Sequence, residues 1–222
     1  MVKPAQEICD RLTSARAREV GDQGRCISCR KGCDACCYYV VPVSQPEAAN
    51  LWRAVCLLPD DKRARALQRF DTAARAILAP GDTTARQHAG EVLRRGTLDQ
   101  ISKWYRGLNL PCPLLEDGAC MIYADRPLAC REYAVTSLPA LCGTACATVD
   151  RIYPDVSVAE SLQQLSAQAE GRDESILLPL LALWAQDQKD PAENHRFPAT
   201  VLHKRLMELI AGASRRPASK AG

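Results

Sequence analysis

Between Pro4 and Val20, apolar residues recur at helical spacing (Ile8, Leu12, Ala15), and Gly21 and Gly24 break the pattern, which predicts an amphipathic first helix. Tyr38 to Val43 is β-branched and aromatic and predicts a short strand or extended exit. Ser44-Gln45-Pro46-Glu47 then reads as a helix start, with Ser44 as N-cap and Glu47 closing a capping box. The helix that follows turns Leu51, Trp52 and Val55 inward and stops before Pro59. Leu67, Phe70, Ala74, Ile77 and Leu78 form the next helical stripe. Lys62, Arg63, Arg65, Arg69 and Arg75 flank it, and the acids among them predict a solvated face rather than an anion-binding one. Ala79-Pro80-Gly81-Asp82 reads as a turn with a new N-cap.

Two further helical segments, near Thr84 to Arg95 and Thr97 to Arg106, lead to residues 109–148. This stretch is dense in Pro, Gly and Cys and lacks sustained periodicity, so it predicts loops and short turns held by something other than a core. From Pro154 the helical pattern returns over Val156 to Glu170, Ser175 to Gln188 and Ala199 to Ala213, the last with Leu202, Leu206, Leu209 and Ile210 on one face. The longest apolar run, Ile176 to Trp184, contains Pro179 and falls far short of the roughly 20 residues of a membrane helix, so it predicts a buried helix. Ser214 to Gly222 is a small basic tail expected to be disordered.

No internal repeat is visible and strands are scarce. The fold class expected is mainly α, with helices framing a loop-rich cysteine metal centre. Its domains are expected to be an N-terminal helix over 1–25 and a cysteine-cluster domain over 26–148 with a helical insert at about 45–106. A C-terminal helical extension over 149–213 packs on it, ahead of the tail at 214–222.

Composition narrows the function classes. With 47% hydrophobic and 25% charged residues in 222, the chain can bury a core. A net charge of +3 without a localised basic patch gives no reason to expect a nucleic-acid partner. The first residues carry an acid early and lack an apolar stretch of signal length, so a cytoplasmic location is expected, with no membrane partner. In that reducing compartment, twelve cysteines read as ligands or catalytic thiols rather than disulfides. A metal ion is therefore the expected partner.

Five of those thiols, Cys26, Cys29, Cys33, Cys36 and Cys37, fall within twelve residues, and a second group comprises Cys112, Cys120 and Cys130, followed by Cys142 and Cys146. Close spacing within each group lets one turn present several thiolates, and the separation between groups lets the fold clamp metal from two sides. A single helix over 29–37 would put its ends roughly 12 Å apart along the axis at about 1.5 Å per residue. Ligand sulfurs of one zinc ion lie within roughly 4 Å of each other. Gly32 offers the way out, because a left-handed residue there turns the chain between Cys29 and Cys33. A knuckle over 29–33 is expected, followed by a helical turn with Cys33, Cys36 and Cys37 on neighbouring faces. Adjacent thiols point about 100° apart on a helix, which suits two metal centres, or one cluster plus one structural thiol. Arg25, Arg30, Lys31, Arg126 and Arg131 are near enough in sequence to offset thiolate charge or simply to be solvated.

The run Cys29-x-x-x-Cys33-x-x-Cys36-Cys37 is followed by Pro111-Cys112-Pro-Leu-Leu, Gly118-x-Cys120-x-Ile122-Tyr123 and Arg126-Pro127-x-x-Cys130-Arg131. Together these motifs resemble the YkgJ family of cysteine cluster proteins, regarded as zinc- or iron-chelating, with eight characteristic cysteines. Seven positions match directly, and Cys142 best matches the eighth. The resemblance covers roughly residues 29–143, with a long insert between the two cysteine groups. It implies that Cys29, Cys33, Cys36, Cys37, Cys112, Cys120, Cys130 and Cys142 are metal ligands for zinc or iron, including a four-iron four-sulfur cluster. A settled biochemical activity does not come with it.

Flagellin lysine methylases look similar in this region and imply an alternative, an iron-sulfur enzyme of methyl transfer or redox chemistry; a metal chaperone is a further one. Cys29-x-x-x-Cys33-x-x-Cys36 also reproduces the triad of radical S-adenosylmethionine enzymes. The strand–helix succession of their partial barrel is missing. No phosphate loop, Gly-x-Ser-x-Gly elbow or His-Glu-x-x-His helix is present, so catalytic residues stay unassigned. Cys9 and Cys56 read as small buried hydrophobes, whereas Cys26 or Cys146 could replace a neighbouring ligand or add one. His88, His195 and His203 read as surface or edge residues, and Tyr38, Tyr123 and Tyr133 as packing around the site.

Overall fold

The computed structural model describes residues 2–78, 96–143, 149–171, 175–188 and 199–213. The expected helix near Thr84 to Arg95, the turn at 79–82, His88, His195, Cys146 and the basic tail lie outside the described residues.

In chain order the elements are α1 (Val2–Asp22), β1 (Pro42–Val43), α2 (Gln45–Cys56), α3 (Asp60–Leu78), α4 (Leu98–Leu108), β2 (Leu115–Glu116) and β3 (Ala119–Cys120). There follow α5 (Leu128–Glu132), β4 (Ala134–Val135), β5 (Arg151–Ile152), α6 (Val158–Glu170), β6 (Ile176–Leu177), α7 (Leu181–Asp187) and α8 (Ala199–Ala213). The protein is mainly helical, and the cysteines cluster in the segments between helices. Among the described residues the strands form three short antiparallel pairs, β1 with β6, β2 with β3 and β4 with β5. No described helix is long and apolar enough to cross a membrane.

Helices α2 and α3 build one core with the 176–184 run: Leu51, Val55, Phe70, Leu114 and Leu181 are all at most 1% exposed. Each such side chain contributes about 1.5–3 kcal/mol of burial. A second core joins α1, α5, α6 and α8 through Cys9, Leu128, Leu162 and Leu206. The stripe on α3 is rotated from the expected one. Ala66 and Ala73 are buried beside Phe70, Ala74 and Ile77, while Leu67 and Leu78 are 40% and 49% exposed. Small alanines let the helix approach closely, and the longer leucines stay at the rim. The arginine face is solvated as expected, with Arg63 paired to Asp60, Arg65 to Asp61 and Glu116, and Arg75 to Asp71.

The 176–184 run is not one helix. Ile176 pairs with Val43 and Leu177 with Pro42, a single 3-10 turn over Leu178–Leu180 follows, and α7 begins only after Pro179. Proline tolerates the first turn of a helix and not its interior. Likewise Cys56, the last residue of α2, is exposed rather than buried, because it lies about 100° round from Val55, which faces the core.

Two buried carboxylates connect the helices. Glu47 accepts hydrogen bonds from the Ser44 N–H (3.2 Å) and hydroxyl (2.9 Å), completing the capping box, and from the Leu128 N–H (2.9 Å) at the start of α5. At the other end of α5, Glu132 accepts from the Ser157 hydroxyl (2.8 Å) and the N–H groups of Val158 (2.6 Å) and Ala159 (3.1 Å), capping α6. Glu47→Ala is expected to lower unfolding free energy by about 2–3 kcal/mol in urea titration, since it strands buried donors. Glu19→Ala, which removes only an exposed pair with Arg16, should change it by less than about 0.5 kcal/mol.

Candidate metal centre

The first cysteine group is shaped by two left-handed glycines. Helix α1 closes around Gly24 (φ +73°), with the Arg25 N–H donating to Val20 O at 3.1 Å, and this turn delivers the chain into the cysteines. The Ser28 N–H donates to Val135 O (2.9 Å), and the Val135 N–H reaches Cys29 Sγ at 3.4 Å, so the first thiol is tied to β4. Gly32 has φ +88°, and the Cys33 N–H closes the expected knuckle on Arg30 O at 3.0 Å. A single 3-10 turn, Ala35–Tyr38, then carries Cys36 and Cys37. At three residues per turn, adjacent thiols project about 120° apart.

The second group docks onto the first through its backbone, the Cys112 N–H donating to Cys37 O at 2.7 Å. Hairpin β2–β3 places Cys120 opposite Leu115 and turns through Asp117 (φ 49°) and Gly118 (φ 72°). A Cβ on Gly118 would lie 4.0 Å from the Gly32 carbonyl, so the two turns face each other. Cys130 sits on α5, and Cys142 lies buried on a 3-10 turn over Pro139–Gly143.

Electrostatics show which thiols are neighbours. Cys36 is pulled down to about 7, chiefly because the Cys37 thiol donates a hydrogen bond to it, with burial opposing and Arg126 helping. Cys37 is pushed far up by holding that shared proton, then by burial and by Cys112, Cys36 and Cys130. Burial raises Cys112 to about 12 and lifts Cys130 well above the ordinary thiol value; Cys120 and Cys36 add to both, and Cys112 to Cys130. Cys120 is raised by burial against the Ile122 N–H and Arg126. Burial also raises Cys29, with Cys36, Cys33 and Cys142 adding to it, and Cys142, with Cys36 and Cys33 adding.

Each of the eight cysteines named from the sequence thus lies within electrostatic reach of at least one other. Among the described residues, however, no set of three or more Cys, His, Asp or Glu side chains is gathered within metal-holding distance. The donor set fits a soft or borderline metal: many thiols, several accepting backbone N–H groups. A bound cation would favour the deprotonated thiolates that burial and crowding disfavour.

Of the nearby cations, Arg126 alone appears among the main influences on these thiols. Arg25 pairs with Asp150 and donates to the Thr136 hydroxyl at 2.8 Å. Arg131 grips both oxygens of Asp10 at 2.8 Å, and Arg30 and Lys31 are exposed. Cys9 is buried as expected, Cys26 is exposed, and His203 is exposed on α8. Tyr39 is an addition that no sequence signal marks beyond its place after Cys37. Its hydroxyl donates to Cys142 O at 2.5 Å, and its ring meets Tyr133 edge-on at 5.7 Å. Tyr133, expected as packing, also points its hydroxyl at Cys142 Sγ, 3.9 Å away.

The model of a family described as "Putative zinc- or iron-chelating domain" matches residues 28–166, a span that holds all eight of these thiols. No curated protein and no solved structure matches the chain.

Gly32→Val is expected to destabilise the protein by about 1–2 kcal/mol, because a β-branched residue resists positive φ. It should also lower bound metal in elemental analysis. Gly21→Ala, inside α1 with open space around the new methyl, should stabilise by about 0.5–1 kcal/mol and leave metal content unchanged.

Proposed function

The chain belongs to this zinc- or iron-chelating family, and from that premise we propose that its eight thiols hold metal in two four-thiolate centres. The supporting observation is how the thiols sort by mutual influence. Cys112 and Cys130 act on Cys37, Cys112 and Cys120 on Cys130, and Cys120 on Cys112, a chain of influence that groups these four. Cys29, Cys33 and Cys142 form a second set of three. Cys36 influences both sets, and counting assigns it to the second, which lacks a fourth donor.

Four thiolates suit tetrahedral zinc or an iron-sulfur cluster, and either closed shell leaves no position for substrate. Zinc would supply folding energy, and iron would supply electron transfer. The polypeptide holds the thiols in place by the Gly32 knuckle, the Asp117–Gly118 hairpin and α5, and excludes water from Cys142 by packing Tyr39 and Tyr133 around it.

Metal, iron and sulfide analysis of anaerobically purified protein should give two zinc ions per chain, or two iron centres with visible absorption. Cys142→Ser and Cys120→Ser should each lose about half of the metal, and the double variant all of it. Complete loss from either single variant would show one shared centre, and full retention in both would refute the ligand assignment.

A further inference from the structure

Beside the cysteines, α1 and the segment from Tyr123 to Arg131 line an open cavity of about 380 Å³. Three of its charged lining residues are already neutralised: Lys3 pairs with Asp125, and Arg131, only 8% exposed, with Asp10, which also lines the cavity. Two others, Arg126 and Glu7, have no ion-pair partner among the described residues. The Arg126 guanidinium lies 4.1 Å from the centroid of the Tyr123 ring, and its buried Nε has no hydrogen-bond partner. The Lys31 ammonium stands over the same ring at 5.6 Å, so Tyr123 gathers two cations. The side chain as a whole is half-buried, and the planar donors at its outer end match a carboxylate in two-point contact.

We propose that this cavity binds a small zwitterion of the α-amino acid class, with its carboxylate on Arg126 and its ammonium toward Glu7. The volume falls at the lower end of small-molecule pockets, about 300–1,000 Å³. Charge sets the selectivity. A dianion meets Glu7, a simple amine meets Arg126, and only a molecule carrying both signs satisfies both unpaired groups. The inference stands on Arg126 and Glu7 and is independent of which metal the thiols hold.

The test is isothermal titration of the full chain, purified with whatever metal it carries, using leucine, 4-methylpentanoate and 3-methylbutylamine as probes. Leucine should bind saturably, about tenfold or more tighter than either analogue. Glu7→Gln should erase the preference for the amine, bringing leucine and 4-methylpentanoate within about threefold of each other. Arg126→Gln should abolish binding of both. Metal content of every variant is measured alongside, and if Arg126→Gln loses metal, the Glu7→Gln comparison decides. No saturable leucine binding up to about 10 mM, equal binding of leucine and 4-methylpentanoate by the unaltered protein, or a tenfold preference surviving Glu7→Gln would each overturn the proposal.

Discussion

A five-residue helix has no stability of its own, because nucleation costs more than so few backbone bonds return. Helix α5, which presents Cys130, persists because buried carboxylates act at both of its ends. Glu47 on α2 accepts the Leu128 N–H at its start, and Glu132 at its end caps α6. Burial raises both carboxyls above the ordinary value, while three donors to each hold the charged form in place. The position of Cys130 is thereby referred to α2 on one side and α6 on the other, so both cores contribute to placing one thiol.

The cysteine region has the opposite character, since its groups disfavour one another. Burial and neighbouring sulfurs push most of these thiols up, and the lowered value of Cys36 is obtained only because Cys37 keeps the proton. Such an arrangement contributes little to folding when protonated and strongly favours a cation that lets several thiols ionise together. The backbone supplies what order there is. The Cys112 N–H to Cys37 carbonyl bond closes the two groups on each other without using a side chain.

Local signals were legible in the sequence. The Ser44–Glu47 capping box, the left-handed turn at Gly32 and the bounds of α8 all follow from residues within a few positions of one another. What escaped depends on distant partners. Ile176 and Leu177 extend because Val43 and Pro42 offer a strand edge, and no window around Pro179 contains that information. The stripe on α3 turned toward Ala66 and Ala73 because close packing favours small residues, whereas hydropathy favours Leu67 and Leu78. At the site, the cysteine motifs are visible in the sequence, whereas the place of Tyr39 and the partners of Arg25 and Arg131 are fixed by the tertiary fold.

That last point bears on how the centre carries its charge. Five cations lie near the cysteines in sequence, but Asp150 engages Arg25, Asp10 engages Arg131, and Arg30 and Lys31 face solvent. A divalent ion held by four thiolates keeps two excess negative charges, and Arg126 alone cannot offset that in the two centres proposed. Peptide dipoles must carry much of the remainder, and the turns are built to aim them. The Leu114 and Leu115 N–H groups point at Cys112, the Ile122 N–H at Cys120 and the Val135 N–H at Cys29. For Cys112 and Cys120 a donor comes from two residues further along the chain, the geometry of a tight turn rather than a long helix. The loop-rich character of residues 109–143 is therefore a requirement of the chemistry, because a continuous helix would spend those same N–H groups on its own carbonyls.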